Sequence, residues 1–328
     1  MKKELLFVAA SGALAVVLSV VGLAPAAEKF PSKPVNYIVP LEPGAGGDIG
    51  ARAIVAKATP FMGQPIVVVN KPGGGSTIGY REIYSARPNG YTIGLGTGTL
   101  VTNKLQGLLP YDYREFSIMG SYASWIGVVV VSTKTNRPFK NFEELVKFSK
   151  AKPGEVSIAS AGVGQFWWIC AVALADKLGV QWNFIPQAGS GGFATAQVAG
   201  GHADLTVVDL AAALSQIEGG NVLPVAVFGE RKIPGKYATI PTLKELGYEV
   251  NTVTTHVVIG PPKMPKDIAA KVTQVFEKAA NDSEFRNFLI ERNAIPGWMT
   301  PEQTMKHLDE QRSINRSVME KAGILKEK

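Results

Sequence analysis

The chain repeats one unit: a short apolar run, a loop rich in glycine, serine and threonine, and a segment whose apolar residues recur at helical spacing. The first copy has a β-branched run at 35–39, a loop that ends at Gly47, and a helical pattern over 49–59 that Asp48 precedes as an N-cap. Two more copies follow directly. Because parallel strands need a crossover, usually a helix, three consecutive units predict an α/β fold with a largely parallel sheet.

The same rhythm returns in the second part of the chain. A strand is predicted over 125–131 and a short amphipathic helix over 141–150. Further predicted strands lead into small polar loops at Ser160, Gln187 and Asp209. The C-terminal part is predicted to be mainly helical, over 267–280, 282–292 and 301–322. A length of 328 residues allows two domains, and without a low-complexity linker these must be joined by short strands.

The N-terminal segment has the three parts of a secretory signal peptide. Lysines at positions 2 and 3 give a positive start, an apolar run covers 5–23, and small residues at 24–26 fit signal peptidase. We predict cleavage near Ala26, which makes 1–26 a signal peptide and the mature protein periplasmic. An uncleaved membrane anchor is the alternative, because the apolar run is long for a signal. Further along, no apolar stretch approaches the roughly 18–20 residues that span a bilayer.

Composition and motif content argue against several classes of protein. With 46% hydrophobic and 19% charged residues the chain is ordinary globular material, and its formal charge of +7 is spread out, so nucleic acid is not an expected partner. The single cysteine, Cys170, cannot form an internal disulfide. His202, His256 and His307 are isolated, without a zinc motif, and no Gly-x-Ser-x-Gly elbow occurs. We therefore predict no metal, no cofactor and no catalytic set.

The strand-end loops are the candidate binding elements. In an open α/β sheet a ligand sits at the carboxyl ends of the strands, and here those ends carry mostly glycine, serine and threonine. A helix that begins after such a loop exposes unpaired N–H groups and about half a positive charge. One loop of this kind is more often only a tight turn. Five in one chain predict that facing helix starts hold a carboxylate or a similar anion.

The segment from 31 to 92 carries a series of motifs in a characteristic order. They are Phe-Pro-Ser-Lys-Pro at 30–34, Pro-Leu-Glu-Pro-Gly-Ala-Gly-Gly-Asp at 40–48, Asn-Lys-Pro-Gly-Gly-Gly at 70–75 and Pro-Asn-Gly-Tyr-Thr at 88–92. In order and spacing this segment resembles the periplasmic solute receptors of tripartite tricarboxylate transporters, also called the Bug family. Looser similarities extend over essentially the whole mature chain.

The resemblance implies a two-lobed periplasmic binding protein of the type II-like kind. Each α/β lobe would be a mostly parallel sheet flanked by helices, with two crossing strands as the hinge. We expect one lobe from 27–124 together with 227–328, and the other from 125–226. The implied function is that of a monomeric receptor that captures a small organic carboxylate, either aromatic or a dicarboxylate, and delivers it to membrane permease subunits. A receptor that presents the carboxylate to a sensor kinase, or an exported hydrolase, is the alternative.

The resemblance also implies where the ligand binds. Backbone N–H groups of the loops at 40–48 and 70–77 would hold one carboxylate, and loops of the second lobe would meet the other end of the ligand. The ligand-binding residues predicted from the strand-end loops and the resemblance are Pro40, Leu41, Gly44, Ala45, Gly46, Gly47, Asp48, Asn70, Gly74, Gly75, Ser76, Thr77, Thr97, Thr99, Ser160, Gly162, Gly164, Gln165, Phe166, Gln187 and Asp209.

Two departures from the family pattern bear on the ligand. Glu42 would repel an anion if it faced the cleft, so it is expected to point outward. Phe166, Trp167 and Trp168 stand where many relatives have small polar residues and a histidine. Their spacing is typical of a helix core. The alternative is that Phe166 or Trp167 lines the distal pocket and favours an aromatic or apolar-bodied carboxylate.

Overall fold

The structure is a computed structural model that describes residues 30–137, 139–187, 191–229, 232–233, 235–250 and 254–327. The predicted signal peptide, and residues 188–190 of the predicted loop at 187–192, lie outside the described residues. Each helix in the described ranges is too short or too polar to cross a membrane.

Two sheets organise the described part of the chain. The first contains β1 (Val35–Val39), β2 (Ile66–Asn70), β3 (Thr92–Gly96), β4 (Ser117–Trp125), β10 (Thr254–Gly260) and β11 (Ala294–Met299). The second contains β5 (Gly127–Ser132), β6 (Ser157–Ser160), β7 (Asn183–Pro186), β8 (Leu205–Asp209) and β9 (Val222–Val227). The strand orders are β11-β4-β10-β3-β1-β2 and β7-β6-β8-β5-β9.

Both sheets are mixed, with a parallel block of three strands. In the first, β1 pairs in parallel with β2 and β3, and in the second β6 pairs in parallel with β7 and β8. Strand β10 is antiparallel to β3 and β4, and β5 is antiparallel to β8 and β9. Most strands of each sheet therefore run in one direction, which confirms the predicted α/β class.

Helices cover the faces of both sheets. They are α1 (Gly46–Met62), α2 (Thr77–Ser85), α3 (Gly98–Leu105), α4 (Phe142–Ala151), α5 (Phe166–Leu178), α6 (Gly191–Ala199), α7 (Leu210–Glu218), α8 (Lys266–Ala280), α9 (Ser283–Glu291) and α10 (Pro301–Lys321). Local signals in the sequence set several of their ends. Helix α1 stops at Gly63, which adopts a left-handed conformation, and α10 starts with a capping box between Thr300 and Gln303.

Alternation along buried strands builds a core on each side of a sheet. In β5, Val129 and Val131 join one apolar cluster of the second lobe, whereas Val128 and Val130 join another. Helices cover both faces of this sheet, so all of β5 is buried. This explains why its sequence is a continuous valine run without polar alternation.

The chain crosses between the lobes at Ile126. Strand β4 ends at Trp125 in the first sheet, and β5 begins at Gly127 in the second. The single strand predicted over 125–131 is therefore wrong at its first residues: Trp125 belongs to the other lobe. Pattern alone could not show this, because both strands are buried and apolar across the junction.

The predicted lobe boundaries remain a proposal. The packing of apolar side chains after residue 227 favours a later end of the second lobe. The expected division at residue 227 assigns the following segment to the first lobe. However, Phe228, Leu243 and Val250 pack in an apolar cluster with β5 and α5 of the second lobe. We propose that the second lobe extends at least to Val250.

Candidate functional site

A cavity of about 420 Å³ opens between the two lobes. Five helices begin at its wall: α1 and α3 from the first lobe, and α5, α6 and α7 from the second. Each of them follows a strand or its loop, and the carboxyl ends of those strands face the gap between the lobes. The expected arrangement of helix starts around one space is present in the structure.

The starts of α1 and α5 are open towards the cavity, whereas at the start of α3 the N–H of Gly98 donates to Oγ1 of Thr254 at 3.2 Å. The N-cap residues Ala45 of α1 and Gln165 of α5 make no side-chain capping hydrogen bond. The first N–H groups of a helix also have no acceptor inside the helix. Backbone donors and the positive ends of the helix dipoles therefore face the cavity, where an anion would be stabilised.

Helix α7 has a different start. Asp209 is its N-cap, and the carboxylate accepts a hydrogen bond from the N–H of Ala212 at 2.9 Å. Burial raises the pKa of Asp209 above its ordinary value, although the hydrogen bond from Ala212 acts in the opposite direction. Because Asp209 lines the cavity, its partly buried carboxyl group lies directly beside any bound ligand.

The loop after β1 is held from below by Asp48, which is 1% exposed. Its carboxylate accepts hydrogen bonds from the N–H of Gly44 and from Nδ2 of Asn70, both at 2.8 Å, and from Nε of Arg52 at 3.0 Å. Burial raises the pKa of Asp48, but these hydrogen bonds outweigh it and hold the pKa below the usual value. Asp48 and Asn70 thus fix the loop, and neither is among the residues that line the cavity.

The second predicted loop, at 70–77, lies beside the cavity without lining it. Gly73, Gly74, Gly75 and Ser76 all have positive φ angles, which is a strained conformation for the serine. This run brings Gly75 to the other lobe: a Cβ added there would lie 3.0 Å from Nε2 of Gln165. The loop therefore meets the rim of the second lobe.

The hydroxyl groups of Thr97 and Thr99 belong to a buried network. Each lies 3.0–3.1 Å from the hydroxyl of Tyr80, and the two are 3.0 Å from each other. The Tyr80 hydroxyl also accepts the N–H of Thr97 at 3.1 Å. Both threonines border the cavity, but their hydroxyls are already bonded within the protein, so they position the start of α3.

The three aromatic residues at the start of α5 have different surroundings. Phe166 and Trp167 line the cavity and also pack in the apolar core of the second lobe, so both alternatives describe part of their surroundings. Trp168 instead packs with Ile169 against Leu105 and Met319 of the first lobe, in an apolar cluster that joins the lobes. Phe166 also reaches the first lobe, because a Cβ on Gly98 would overlap its ring.

Trp125 and His256 are cavity residues that the sequence analysis did not select. Their rings are tilted against each other with centroids 4.4 Å apart, and they are 7% and 2% exposed. Nε1 of Trp125 and Nδ1 of His256 are buried without a hydrogen-bond partner. Burial lowers the pKa of His256 to about 3, so the imidazole is neutral. Both residues lie near the ends of strands, which is where binding residues are expected. The sequence does not show that these two strands are neighbours, so it could not bring the two residues together.

The structure divides the predicted ligand-binding residues into two groups. Those that line the cavity are Leu41, Gly44, Ala45, Gly46, Gly47, Thr97, Thr99, Gln165, Phe166 and Asp209. Those that do not are Pro40, Asp48, Asn70, Gly74, Gly75, Ser76, Thr77, Ser160, Gly162, Gly164 and Gln187.

Members of the second group shape the loops or join the lobes. The carbonyl of Gly164 accepts a hydrogen bond from Nε2 of Gln106 in the first lobe at 2.7 Å, and the N–H of Gln187 donates to the carbonyl of Ser160 at 2.8 Å. Glu42 is exposed and does not line the cavity, in line with its expected outward position. In the described ranges no three His, Cys, Asp or Glu side chains are grouped so that they could hold a metal ion.

Comparison with known sequences agrees with this architecture. A UPF0065 protein in the gbd 5′ region of Cupriavidus necator is 28% identical over 329 residues, which cover 98% of this chain and 98% of that protein. BugT of Bordetella pertussis is 27% identical over 285 residues, 85% of this chain and 86% of that protein.

Solved structures give the same picture. A periplasmic transporter is 29% identical, covers 90% of this chain and 99% of that one, and has a TM-score of 0.80. Two structures at 23% identity share the fold. An R. palustris protein with adipate covers 90% of this chain and 99% of that one with a TM-score of 0.81. MatC of Rhodopseudomonas palustris with bound malate covers 88% and 99% with a TM-score of 0.76.

The family model described as tripartite tricarboxylate transporter family receptor matches residues 50–324. The match begins inside α1 and runs past the end of α10, so it includes the described strands from β2 onwards and the starts of α3, α5, α6 and α7. With two lobes, an interlobe cavity and this match over most of its length, the chain belongs to the tripartite tricarboxylate transporter family of receptors.

Proposed function

We propose that this protein is an exported solute-binding receptor that captures a small organic carboxylate between its lobes and delivers it to membrane permease subunits. The observation that carries the proposal is the cavity, where helix starts from both lobes face one space. A carboxylate there would accept hydrogen bonds from backbone N–H groups on both sides. Closure of the lobes would exclude water and strengthen these interactions.

The size and the walls of the cavity support a dicarboxylate or a carboxylate with an apolar body. Its volume of about 420 Å³ suits a small molecule, and Trp125, Phe166 and Trp167 supply aromatic surface beside the helix starts. Proteins of the same fold have been solved with adipate and with malate, which makes these two acids the first to test.

The contacts that we propose for the ligand follow from the residues at the wall. Gly46 and Gly47 of α1 would hold a carboxylate through their N–H groups. The starts of α5 and α6 would surround the opposite end, whereas Asp209 lies beside the start of α1, with Oδ1 3.9 Å from the Cβ position of Gly46. Because one chain supplies both sides of the cavity, the proposed receptor acts as a monomer.

The proposed place of action is the periplasm. The N-terminal sequence supports export with cleavage near Ala26, and the family description supports a partner transporter in the membrane. Expression in a Gram-negative host followed by mass measurement of the periplasmic protein tests this point. A chain that begins at Ala27 is expected, and a full-length chain retained in the membrane would contradict it.

Ligand binding is tested by thermal shift and calorimetry with malate, adipate, benzoate and phthalate, with adipamide as the neutral control. We expect at least one carboxylate to bind with one-to-one stoichiometry. At 100 times its dissociation constant, the ligand should stabilise the fold by about 2.7 kcal/mol. NMR of the recovered ligand should show it unchanged. Binding of no carboxylate, or conversion of the bound acid, would overturn the proposal.

Delivery to a permease needs a separate measurement. Uptake of the bound acid is followed in cells that express the transporter membrane subunits encoded beside this receptor, with and without it. Uptake should depend on the receptor. Binding without any effect on uptake would contradict the transport role.

A further inference from the structure

The indole of Trp125 presents a buried donor without an acceptor to the start of α1. Nε1 has no hydrogen-bond partner, and the side chain is 7% exposed and lines the cavity. A Cβ added to Gly46 would lie 3.2 Å from this nitrogen. The indole N–H is therefore next to the first backbone donors of α1.

Such a donor is costly unless something binds to it. A buried polar group without a partner destabilises a protein, because it has lost its hydrogen bonds to water. Around Trp125 the nearest backbone groups of α1 are themselves N–H donors, so they cannot accept its hydrogen. An acceptor that enters the cavity satisfies the indole and the helix start together.

We propose that Trp125 is a ligand-binding residue whose indole N–H donates to the carboxylate held at the start of α1. The inference rests on the proposed function, because it concerns the same cavity and the same class of ligand. This end of the cavity would then offer three donors, from Gly46, Gly47 and Trp125. It favours a carboxylate over a carboxamide, whose NH₂ group would face further donors.

Neighbouring residues hold the indole in this position. His256 lies against the Trp125 ring with centroids 4.4 Å apart, and Tyr122 meets the His256 ring edge-on at 5.6 Å. A Cβ on Gly50 would come within 3.2 Å of the indole, so Gly50 leaves room for the ring beneath α1. His256 and Gly50 are therefore positioning residues for this donor.

Trp125 also connects the ligand to the hinge. It is the last residue of β4, and only Ile126 separates it from β5 in the second lobe. Asp209 reaches the same point from the second lobe, with Oδ1 3.9 Å from the Cβ position of Gly46. A carboxylate bound to the indole is thus fixed where the chain crosses between the lobes.

The test compares Trp125→Phe with Trp298→Phe. Trp298 is a matched control, because its Nε1 is also buried without a partner but lies against Gly120, away from the cavity. Calorimetry with malate and adipate should show affinity roughly 10- to 100-fold lower for Trp125→Phe, the range for a hydrogen bond to a charged group. Trp298→Phe should bind like the wild type.

A second readout uses the unmodified protein, so it holds even if Trp125→Phe does not fold. In ¹H–¹⁵N spectra, the indole N–H resonance of Trp125 should move on addition of malate or adipate, while that of Trp298 stays in place. Assignment uses the other four tryptophans of the chain, through Trp167→Phe, Trp168→Phe, Trp182→Phe and Trp298→Phe, so the remaining indole resonance is that of Trp125.

The outcomes separate the two proposals. If the wild type binds a carboxylate but Trp125→Phe binds equally well, or the Trp125 resonance does not move, this inference fails and the receptor function stands. The Trp125 resonance is also recorded for Asp209→Asn without ligand. If it already lies at the position seen in the ligand-bound wild type, the indole of the free wild type bonds to Asp209 through water, and the inference also fails. If the wild type binds no carboxylate, both fail.

Discussion

Asp48 and Asn70 join the two loops that sequence motifs mark as the binding loops. Oδ1 of Asp48, at the start of α1, accepts a hydrogen bond from Nδ2 of Asn70, at the end of β2, at 2.8 Å. The same amide also donates to the carbonyl of Leu41 at 3.0 Å. These side chains stand behind the loop and fix its shape, so the backbone N–H groups of Gly46 and Gly47 can face the cavity.

Asp48→Ala is expected to lower the free energy of unfolding by roughly 2–3 kcal/mol, because it leaves the N–H of Gly44 and the amide of Asn70 without their acceptor. Urea denaturation measures the change. Arg52→Ala is the control: Arg52 pairs with the same carboxylate, but its side chain is half exposed, so its loss should cost less than about 1 kcal/mol. Equal losses in the two variants would show that Asp48 acts only through Arg52.

His256 should make stability depend on pH in the weakly acidic range. Burial lowers its folded-state pKa to about 3, below the ordinary 6.5, so between these values the unfolded chain binds more protons. The contribution is fully present above pH 6.5 and is lost as the pH falls, by about 1.4 kcal/mol per pH unit. His256→Phe should flatten this slope in urea denaturation.

Between pH 6.5 and about 4.5, the difference in slope between the wild type and His256→Phe gives the contribution of His256, because burial also lowers the pKa of His307 and that part of the slope remains in the variant. The lowered pKa of Asp48 matters only below its ordinary value of 3.8, where protonation of this carboxyl also removes stability. His202→Asn, at an exposed histidine, should keep the wild-type slope. A slope in His256→Phe equal to that of the wild type would assign the pH dependence to other groups, such as His307.

Gly98→Ala should weaken ligand binding without weakening the fold. The added Cβ would overlap the ring of Phe166 in the other lobe, so the lobes could not approach as closely. We expect affinity for a bound carboxylate to fall by about tenfold or more, roughly the effect of losing 1.4 kcal/mol of closure energy. The melting temperature should stay the same or rise, since alanine reduces the freedom of the unfolded chain.

Gly297→Ala controls for the glycine substitution itself. No atom lies within 4 Å of a Cβ at this position in β11. Its affinity should match the wild type, and small-angle scattering should show only Gly98→Ala with a larger radius of gyration in the presence of ligand. An unchanged affinity in Gly98→Ala would mean that the Gly98–Phe166 contact is not needed for binding.

Asp209→Asn should raise the affinity for a dicarboxylate such as adipate at neutral pH. Asparagine keeps the cap of α7 but removes a negative charge from the cavity wall. At a few ångströms this charge opposes the negative charge of a bound ligand by up to a few kcal/mol, so a gain of about tenfold is expected in calorimetry. Benzoate, with one carboxylate, should gain less.

The wild type should bind adipate more tightly as the pH falls through the raised pKa of Asp209, and Asp209→Asn should lose this part of the pH dependence. Glu249→Gln makes the same change in net charge at an exposed site and should leave the affinity unchanged. If adipate binds Asp209→Asn more weakly, Asp209 donates or accepts a specific hydrogen bond instead of repelling the ligand.

The sequence alone was sufficient for the α/β class and for the loops after β1 and β3 that reach the cavity. These follow from local rules: valine and isoleucine runs form buried strands, and glycine-rich loops after them start helices with open N–H groups. Gly46, Gly47, Gln165 and Phe166 were accordingly predicted, and all four line the cavity.

The roles of polar side chains were not predictable in the same way. Asp48, Asn70 and Ser76 lie in the matching motifs, but the structure turns the first two towards each other behind the loop. Whether a polar residue faces a ligand or supports a loop depends on which distant groups reach it. A motif gives the residue type at a position, but it does not show what the side chain contacts.

Trp125 and His256 show what only the tertiary structure decided. One ends β4 and the other lies in β10, more than a hundred residues apart, and they meet because β10 pairs with β4 in the first sheet. Their unpartnered nitrogen atoms and their place under α1 result from strand order and from the crossing at Ile126. Local propensity governs which segments become strands and helices, whereas long-range packing determines which side chains share a cavity.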